Sequence, residues 1–245
     1  MSNLTADTDV FSTATTTGQP MRACVMFNAK RVGFGQDVYN STHHAEIVSV
    51  LDQLADEGWR LSLRQIFDPQ AGNEPCGLET GFAHDHDFAG VFEAPDAHAA
   101  MEGTVRLEQA GWRRGFATEW IIGLKEFEPV LGRGKRTDHQ WAFLALWDWN
   151  DQWCEASSEQ RTEYDLECDI AFRGDLDLGV NIAGRYRLDW SHRFHHLGAW
   201  EIAHPDIADD AIRGHERVAD FKFTTSRHIV GRITPMANLL LPHRT

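Results

Sequence analysis

The sequence predicts an α+β fold made of two copies of one unit, each running strand, helix, strand, strand, helix, strand. Two observations carry this. A stretch of the chain occurs twice in divergent form, and an apolar strand followed by a helix precedes each copy. The first copy is "DFAGVFEAPDAHAAMEGTVRLEQAGWRRGFATEWIIG", Asp87 to Gly123. The second is "HHLGAWEIAHPDIADDAIRGHERVADFKFTTSRHIVG", His195 to Gly231. Gly90, Phe92 and Glu93 match Gly198, Trp200 and Glu201, and Pro95-Asp96 matches Pro205-Asp206. In both, a helical stretch and a β-branched strand follow.

The elements then read in order. "RACVMFNA" (Arg22 to Ala29) and "WAFLALWDW" (Trp141 to Trp149) are the opening strands. The helix after the first runs from Thr42 to Glu57, with Ile47, Val50, Leu51, Leu54 and Ala55 on one stripe and Ser41 or Thr42 as cap. The helix after the second opens on a Ser157-x-x-Gln160 capping box and continues through Tyr164, Cys168 and Phe172. "RLSLRQIFD" (Arg60 to Asp68) and "VNIAGRYRLDW" (Val180 to Trp190) read as second strands, with Arg64/Arg185 and Asp68/Asp189 at one constant offset. Pro69 to His86 reads as a long Gly- and Pro-rich loop.

This is the split βαβ, ferredoxin-like unit. Its sheet carries helices on one face only, so the other face must be buried. Two fused units achieve that sheet against sheet, as a pseudo-dimeric α+β barrel with a cavity between them. Residues 1–20 read as a Ser/Thr-rich flexible tail, 21–129 as the first unit, 130–139 as a Gly-rich charged linker and 140–245 as the second unit, with the site in the second.

Composition narrows the function. The chain has 245 residues and a formal net charge of −14, and its one basic cluster, "GRGKR", is short. That disfavours nucleic acid and anionic membrane surfaces as partners. No apolar run reaches the roughly 18 residues of a membrane helix. The start lacks the basic and apolar regions of a secretory signal. The four cysteines lack CxxC spacing and read as reduced thiols. A cytoplasmic homo-oligomer acting on a small hydrophobic or anionic substrate is the expectation.

The chemistry-bearing residues concentrate in the second unit. In "HRFHHLGAWEIAHPD" strand alternation puts His192, His196 and Trp200 on one face. His192 and His196 would lie roughly 13 Å apart by strand rise, too far to share a metal ion. No metal site is expected. Arg185 and Arg187 share a face, suited to binding an anion or to bridging surface carboxylates. His228 stands where the first copy has Trp120 and shares its face with Ser226. Cys168 reads as a buried thiol or as a nucleophile or thiolate ligand, the latter requiring a nearby positive charge. Glu163, Asp165, Glu167 and Asp169 read as a solvated acidic face.

"SSEQRTEYDLECD" resembles a helix-opening S-x-E-E-R motif, "VNIAGRYRLDWS" a strand carrying a distal polar residue, and "GAWEI…HPD" with "HIVGRI" fits the same layout. The chain thereby resembles the dimeric α+β barrel superfamily in tandem form. Trp141 to Ile233 is similar to the chlorite dismutase and coproheme decarboxylase group. The resemblance implies a haem pocket in the C-terminal unit with peroxidase, decarboxylase or chlorite chemistry. It places Arg185 nearest the distal arginine, and Trp200 is expected to line the pocket as a cofactor-binding residue. The family's proximal histidine lies on the helix after the motif; here Cys168 is nearest that position. Three readings stay open: a haem-using oxidoreductase or lyase with His196, Arg185 and His228 in catalytic roles, a cofactor-free cyclase, isomerase or dehydratase, and a non-catalytic binding or assembly module.

Overall fold

The computed structural model describes residues 21–32, 39–72, 74–81, 83–218 and 220–241; the expected tail lies outside them. The first unit comprises β1 (Ala23–Arg31), α1 (Ser41–Asp56), α2 (Leu63–Phe67), β2 (Cys76–Glu79), β3 (Phe88–Ala94), α3 (Ala97–Leu107), α4 (Arg113–Gly115) and β4 (Phe116–Lys125). A π-helical turn, Glu108–Trp112, joins α3 to α4. The second comprises β5 (Trp141–Trp149), α5 (Asp151–Glu155), α6 (Ser158–Asp177), β6 (Asn181–Arg187), β7 (His196–Ile202), α7 (Pro205–Arg217), α8 (Asp220–Phe223), β8 (Thr224–Pro235) and α9 (Met236–Leu239).

The strands form one closed antiparallel barrel in the order β1-β3-β2-β8-β5-β7-β6-β4. Each unit therefore contributes the same internal order, β4-β1-β3-β2 and β8-β5-β7-β6. The seams are β2 with β8 and β4 with β6. The β4–β6 seam is short, made by Leu124 with Arg187 and Lys125 with Tyr186.

Two buried faces explain the near-continuous apolar strands. On β1, Cys24 and Met26 point into the barrel, while Val25 and Phe27 point to the helices. On β5, Ala142, Leu144 and Leu146 point inward, while Phe143 and Ala145 face the helix layer. The barrel interior is thus packed by side chains of both units, including Tyr186, Leu197, Ala199 and Ile229. It holds a core, not the expected inter-sheet cavity. The cavity lies on the helix-covered face of the second sheet.

Several local expectations are corrected. Arg60 to Asp68 is not a strand. Ser62 caps a short helix by accepting from the Gln65 N–H, and Leu63 and Ile66 bury the inner side of that turn. Leu61 and Leu63 mimic alternation, but Arg60 makes only an isolated bridge to Glu93. The second strand of the unit is Cys76–Glu79, inside the segment read as a loop. The pairing of Arg64 with Arg185 and of Asp68 with Asp189 therefore dissolves. α1 is capped by Asn40, whose side chain accepts from Thr42 N and His43 N, not by Ser41 or Thr42. β7 starts at His196, so His192 falls in the preceding turn, where its Nε2 lies 3.1 Å from Glu119.

A buried ionic cluster ties the two units. Glu93 is fully buried and receives Arg22, Arg60 at 2.9 Å, Lys125 at 2.7 Å and the Tyr186 hydroxyl at 2.7 Å. Burial works against its charge, but Lys125, Tyr186 and Arg60 together hold its carboxyl below the usual range. Among the described residues, its repeat counterpart Glu201 meets Arg64 at 3.4 Å and Asn181 at 2.8 Å. There burial wins and the carboxyl is pushed up.

Candidate active site

Strand register shows how the cavity arises. Phe27 pairs with Gly90 on β3 and Trp120 on β4; Ala145 pairs with Gly198 on β7 and His228 on β8. By the same register, Phe92 corresponds to Trp200 and Phe88 to His196. In the first unit the Phe27 ring fills the space over Gly90, where a Cβ would fall 2.3 Å from the ring. It packs against Phe92 at 5.0 Å, Trp120 at 5.5 Å and Trp112 at 5.7 Å between centroids. In the second unit Ala145 supplies no ring. The larger Trp200 leans over Gly198, where a Cβ would meet its ring at 2.2 Å. What remains is a cavity of about 360 Å³, roofed by α6, α7 and α8. That volume lies within the range of small-molecule sites.

His196, Arg185, His228, Cys168 and Trp200 all line this one cavity. Arg185 arrives there through a bulge. The register of β6 against β7 shifts between Ile182 and Gly184, so Ile182 pairs with Trp200 and Arg185 with Gly198. The extra residue, Ala183, turns Arg185 to the cavity side and leaves Tyr186 in the barrel. Arg187 emerges further along and pairs with Asp189 at the surface. Across the floor, His228 and Arg185 are separated by Ala145 and Gly198, roughly 14 Å by three inter-strand spacings.

The His228 end holds an acid–base assembly. His215, on α7, donates from Nδ1 to Asp220 at 2.8 Å and from Nε2 to Asp175 at 3.2 Å. Burial works against its charge, but the two carboxylates outweigh it and hold its pKa at about 9. His215 is therefore an imidazolium at neutral pH. The stability tied to this proton is fully present below the ordinary histidine value of 6.5 and is lost as pH rises through about 9. Asp220 also accepts from Tyr164 at 2.5 Å and from Cys168 at 3.8 Å. Burial and then the Asp220 charge push the Tyr164 hydroxyl and the Cys168 thiol up, so both stay protonated.

His228 is the opposite case. Burial first, then the His215 charge, pull its pKa down, so it is neutral. Its ring meets Phe143 at 5.2 Å and Phe221 at 6.1 Å, and no described residue hydrogen-bonds it. One cavity thus holds an imidazolium with both N–H groups engaged by carboxylates and a neutral imidazole with no hydrogen-bond partner among the described residues.

At the other end Arg185 donates to Glu126 at 2.7 Å and stacks on the Phe127 ring at 4.1 Å. His196 Nε2 lies 3.5 Å from the same Glu126 carboxylate, and its ring stacks on Trp147 at 5.2 Å. Burial opposes ionisation of Glu126, but His196 and Arg185 hold its pKa down at about 2. His196 Nδ1 and Trp200 Nε1 are buried with no hydrogen-bond partner among the described residues.

Sequence reading missed His215, Asp220, Asp175 and Glu126. His215 and Asp220 sit in an ordinary amphipathic stretch, and only the fold brings them under α6. Asp165 and Asp169 were expected on a solvated face. They do remain reached by solvent, yet they line the cavity, while Leu166 and Ile170 of the same helix are each 63% exposed. A helix that turns acids toward a cavity and aliphatics outward reverses the usual amphipathic order.

The architecture has known counterparts. A mutant chlorite dismutase from Candidatus Nitrospira defluvii superposes with a TM-score of 0.70 at 12% identity, covering 89% of this chain and 94% of that one. The chlorite dismutase from the same organism in complex with imidazole gives 0.68 at 12%, covering 89% and 93%. The fold is that of the chlorite dismutases. No protein-family model matches the sequence, and no curated protein matches it. The likeness to chlorite dismutases is therefore one of fold, over about nine-tenths of the chain.

The resemblance implies haem, and the residues test that. α6 carries no histidine, and the Cys168 thiol is held protonated by burial and Asp220, which disfavours a thiolate ligand. His215 has both nitrogens bound to carboxylates. The lining carries Asp165, Asp169, Asp175 and Asp220 against the cations Arg185 and His215, an unfavourable field for a porphyrin's carboxylates. The donor set of α6 does not fit a haem. No group of at least three His, Cys, Asp or Glu placed to hold a metal occurs among the described residues. No helix of the described residues is long and apolar enough to cross a membrane.

Proposed function

We propose that the protein is a cofactor-free small-molecule enzyme that performs proton transfer in the C-terminal cavity, in the manner of an isomerase, dehydratase or cyclase. One observation carries this reading: a neutral His228, with no hydrogen-bond partner among the described residues, shares a cavity with the clamped imidazolium His215. A base must be unprotonated and free to accept, and His228 is both. Its lowered pKa keeps the acceptor available through neutral pH. The surrounding rings hold the apolar part of a substrate against the small floor residue Ala145. The Trp200 indole N–H, buried without an acceptor among the described residues, is a donor available to negative charge that develops as the proton leaves.

The test is hydrogen–deuterium exchange into small aryl ketones and hydroxy ketones in deuterated buffer, followed by NMR. The native protein is expected to accelerate exchange at the carbon next to the carbonyl. His228→Gln is expected to lower the rate by about 10²–10⁴-fold, the usual contribution of a positioned general base. Exchange that is unchanged in His228→Gln contradicts the assignment.

A haem protein is the second reading, favoured by the shared fold and by the free imidazole of His228. One equivalent of hemin distinguishes it. The cofactor-free reading predicts the spectrum of free hemin, whereas a Soret band that shifts in His228→Gln establishes haem binding.

A further inference from the structure

We infer that the cavity takes a small aromatic amine, with a flat ring over Ala145 beside Trp200 and a cationic end at the Asp165–Asp169 rim. The inference rests on the cavity being the working site and names the class of ligand it accepts.

Shape comes first. The cavity opens where Ala145 stands in place of Phe27, beside the Trp200 ring that covers Gly198, and the space between these flat walls suits a flat aromatic group. Its walls are rings: Phe143, Trp147, Trp149, Phe172 and Phe221. Such walls favour aromatic bodies and attract cations through their π faces.

Charge comes second. The two cationic groups of the lining are already neutralised: Arg185 by Glu126 at 2.7 Å, and His215 by Asp175 and Asp220. Asp169 has a partner on the same helix, Arg173 at 3.6 Å, and Asp165 has no ion pair with a described residue. Burial and the neighbouring Asp169 raise the Asp165 carboxyl even against Arg185, as expected for an acid that lacks its counter-charge. A ligand ammonium supplies that charge.

A third observation points independently to a ligand. Trp200 is 4% exposed and lines the cavity, yet its indole N–H has no partner among the described residues. A buried donor without an acceptor costs about 1–3 kcal/mol. An oxygen on the aromatic end of the ligand satisfies it.

The test uses three probes matched in size: tyramine, 4-hydroxyphenethyl alcohol and 3-(4-hydroxyphenyl)propionate, the amine, neutral and acid forms of one scaffold. Binding to the native protein is measured by calorimetry at low salt. Tyramine is expected to bind about tenfold tighter than the alcohol, and the propionate weakest. Asp165→Asn/Asp169→Asn is expected to erase the advantage of the amine while leaving the alcohol unchanged. Phenethylamine, which lacks the ring oxygen, is expected to bind more weakly than tyramine in the native protein and equally in Trp200→Phe. Ala145→Phe is expected to abolish binding of all probes. Binding of the propionate or the alcohol at least as tight as the amine, lost in Ala145→Phe, overturns the amine class while the cavity stands. Binding that survives Ala145→Phe overturns the cavity itself. No binding of any probe at millimolar concentration also overturns the inference.

Discussion

Ala145→Phe is expected to close the C-terminal cavity and abolish its proton-transfer activity while leaving the protein folded. The argument is internal to the chain. Phe27 and Ala145 occupy equivalent positions in register, between a glycine on one neighbouring strand and Trp120 or His228 on the other. The first unit demonstrates that this backbone accepts a phenylalanine there. Adding bulk to a packed core normally costs about 1–3 kcal/mol in strain. Here the added ring meets the Trp200 ring over Gly198, which can shift toward the cavity, so the cost is expected to stay below about 3 kcal/mol. The reverse substitution, Phe27→Ala, removes a ring packed against Phe92, Trp112 and Trp120 and is expected to cost about 3–5 kcal/mol. Urea melts check both halves. A loss of 3 kcal/mol or more in Ala145→Phe contradicts the equivalence.

Glu93→Ala is expected to destabilise the protein by about 3–5 kcal/mol, the effect of stranding buried charges. Lys125 is only 1% exposed and lies 2.7 Å from Glu93. Removing the carboxylate leaves that ammonium, the Arg22 and Arg60 guanidiniums and the Tyr186 hydroxyl without their common acceptor. Tyr186 belongs to β6, so the loss reaches the β4–β6 seam where Lys125 pairs with Tyr186. Glu201→Gln serves as the contrast. Its carboxyl is already pushed toward the neutral form by burial, and the amide keeps the shape and an acceptor for Asn181. That substitution is expected to cost under about 1.5 kcal/mol. Equal losses at the two positions contradict the account of the cluster.

The repeat made most of the fold legible. "GVFEAPD" and "GAWEI…HPD" mark the same strand-to-helix corner, and recognising them twice gives seven of the eight strands, all but β2. The failures are local. Leu61 and Leu63 alternate as in a strand, but Ser62 caps a helix there, and one hydrogen bond decides between the two. β2 was hidden because Cys76–Glu79 is short and partnered by β8 of the other unit, a contact that local sequence does not record.

The cavity wall was legible for the same reason. Trp200, His196 and His228 stood out because the first copy carries Phe92, Phe88 and Trp120. The charges were not legible. His215 has no counterpart that singles it out, and its partners Asp175 and Asp220 lie on other helices. Nor does composition reveal which side of the sheet is hollow. That follows from the single difference between Phe27 and Ala145, which gains meaning only once the strands are in register.

The most direct test of the central claim is an NMR titration of the histidine ring protons from pH 5 to 10, with His215→Gln and His228→Gln as assignments. The account predicts one imidazole, His215, that keeps its proton until about pH 9, because Asp175 and Asp220 outweigh its burial. It predicts another, His228, that stays neutral below the ordinary value of 6.5, and whose pKa rises when His215 is replaced. That coupling is the signature of two imidazoles facing one cavity, one held charged and one held neutral. Both rings titrating at the ordinary value, or His228 unmoved by His215→Gln, contradicts it.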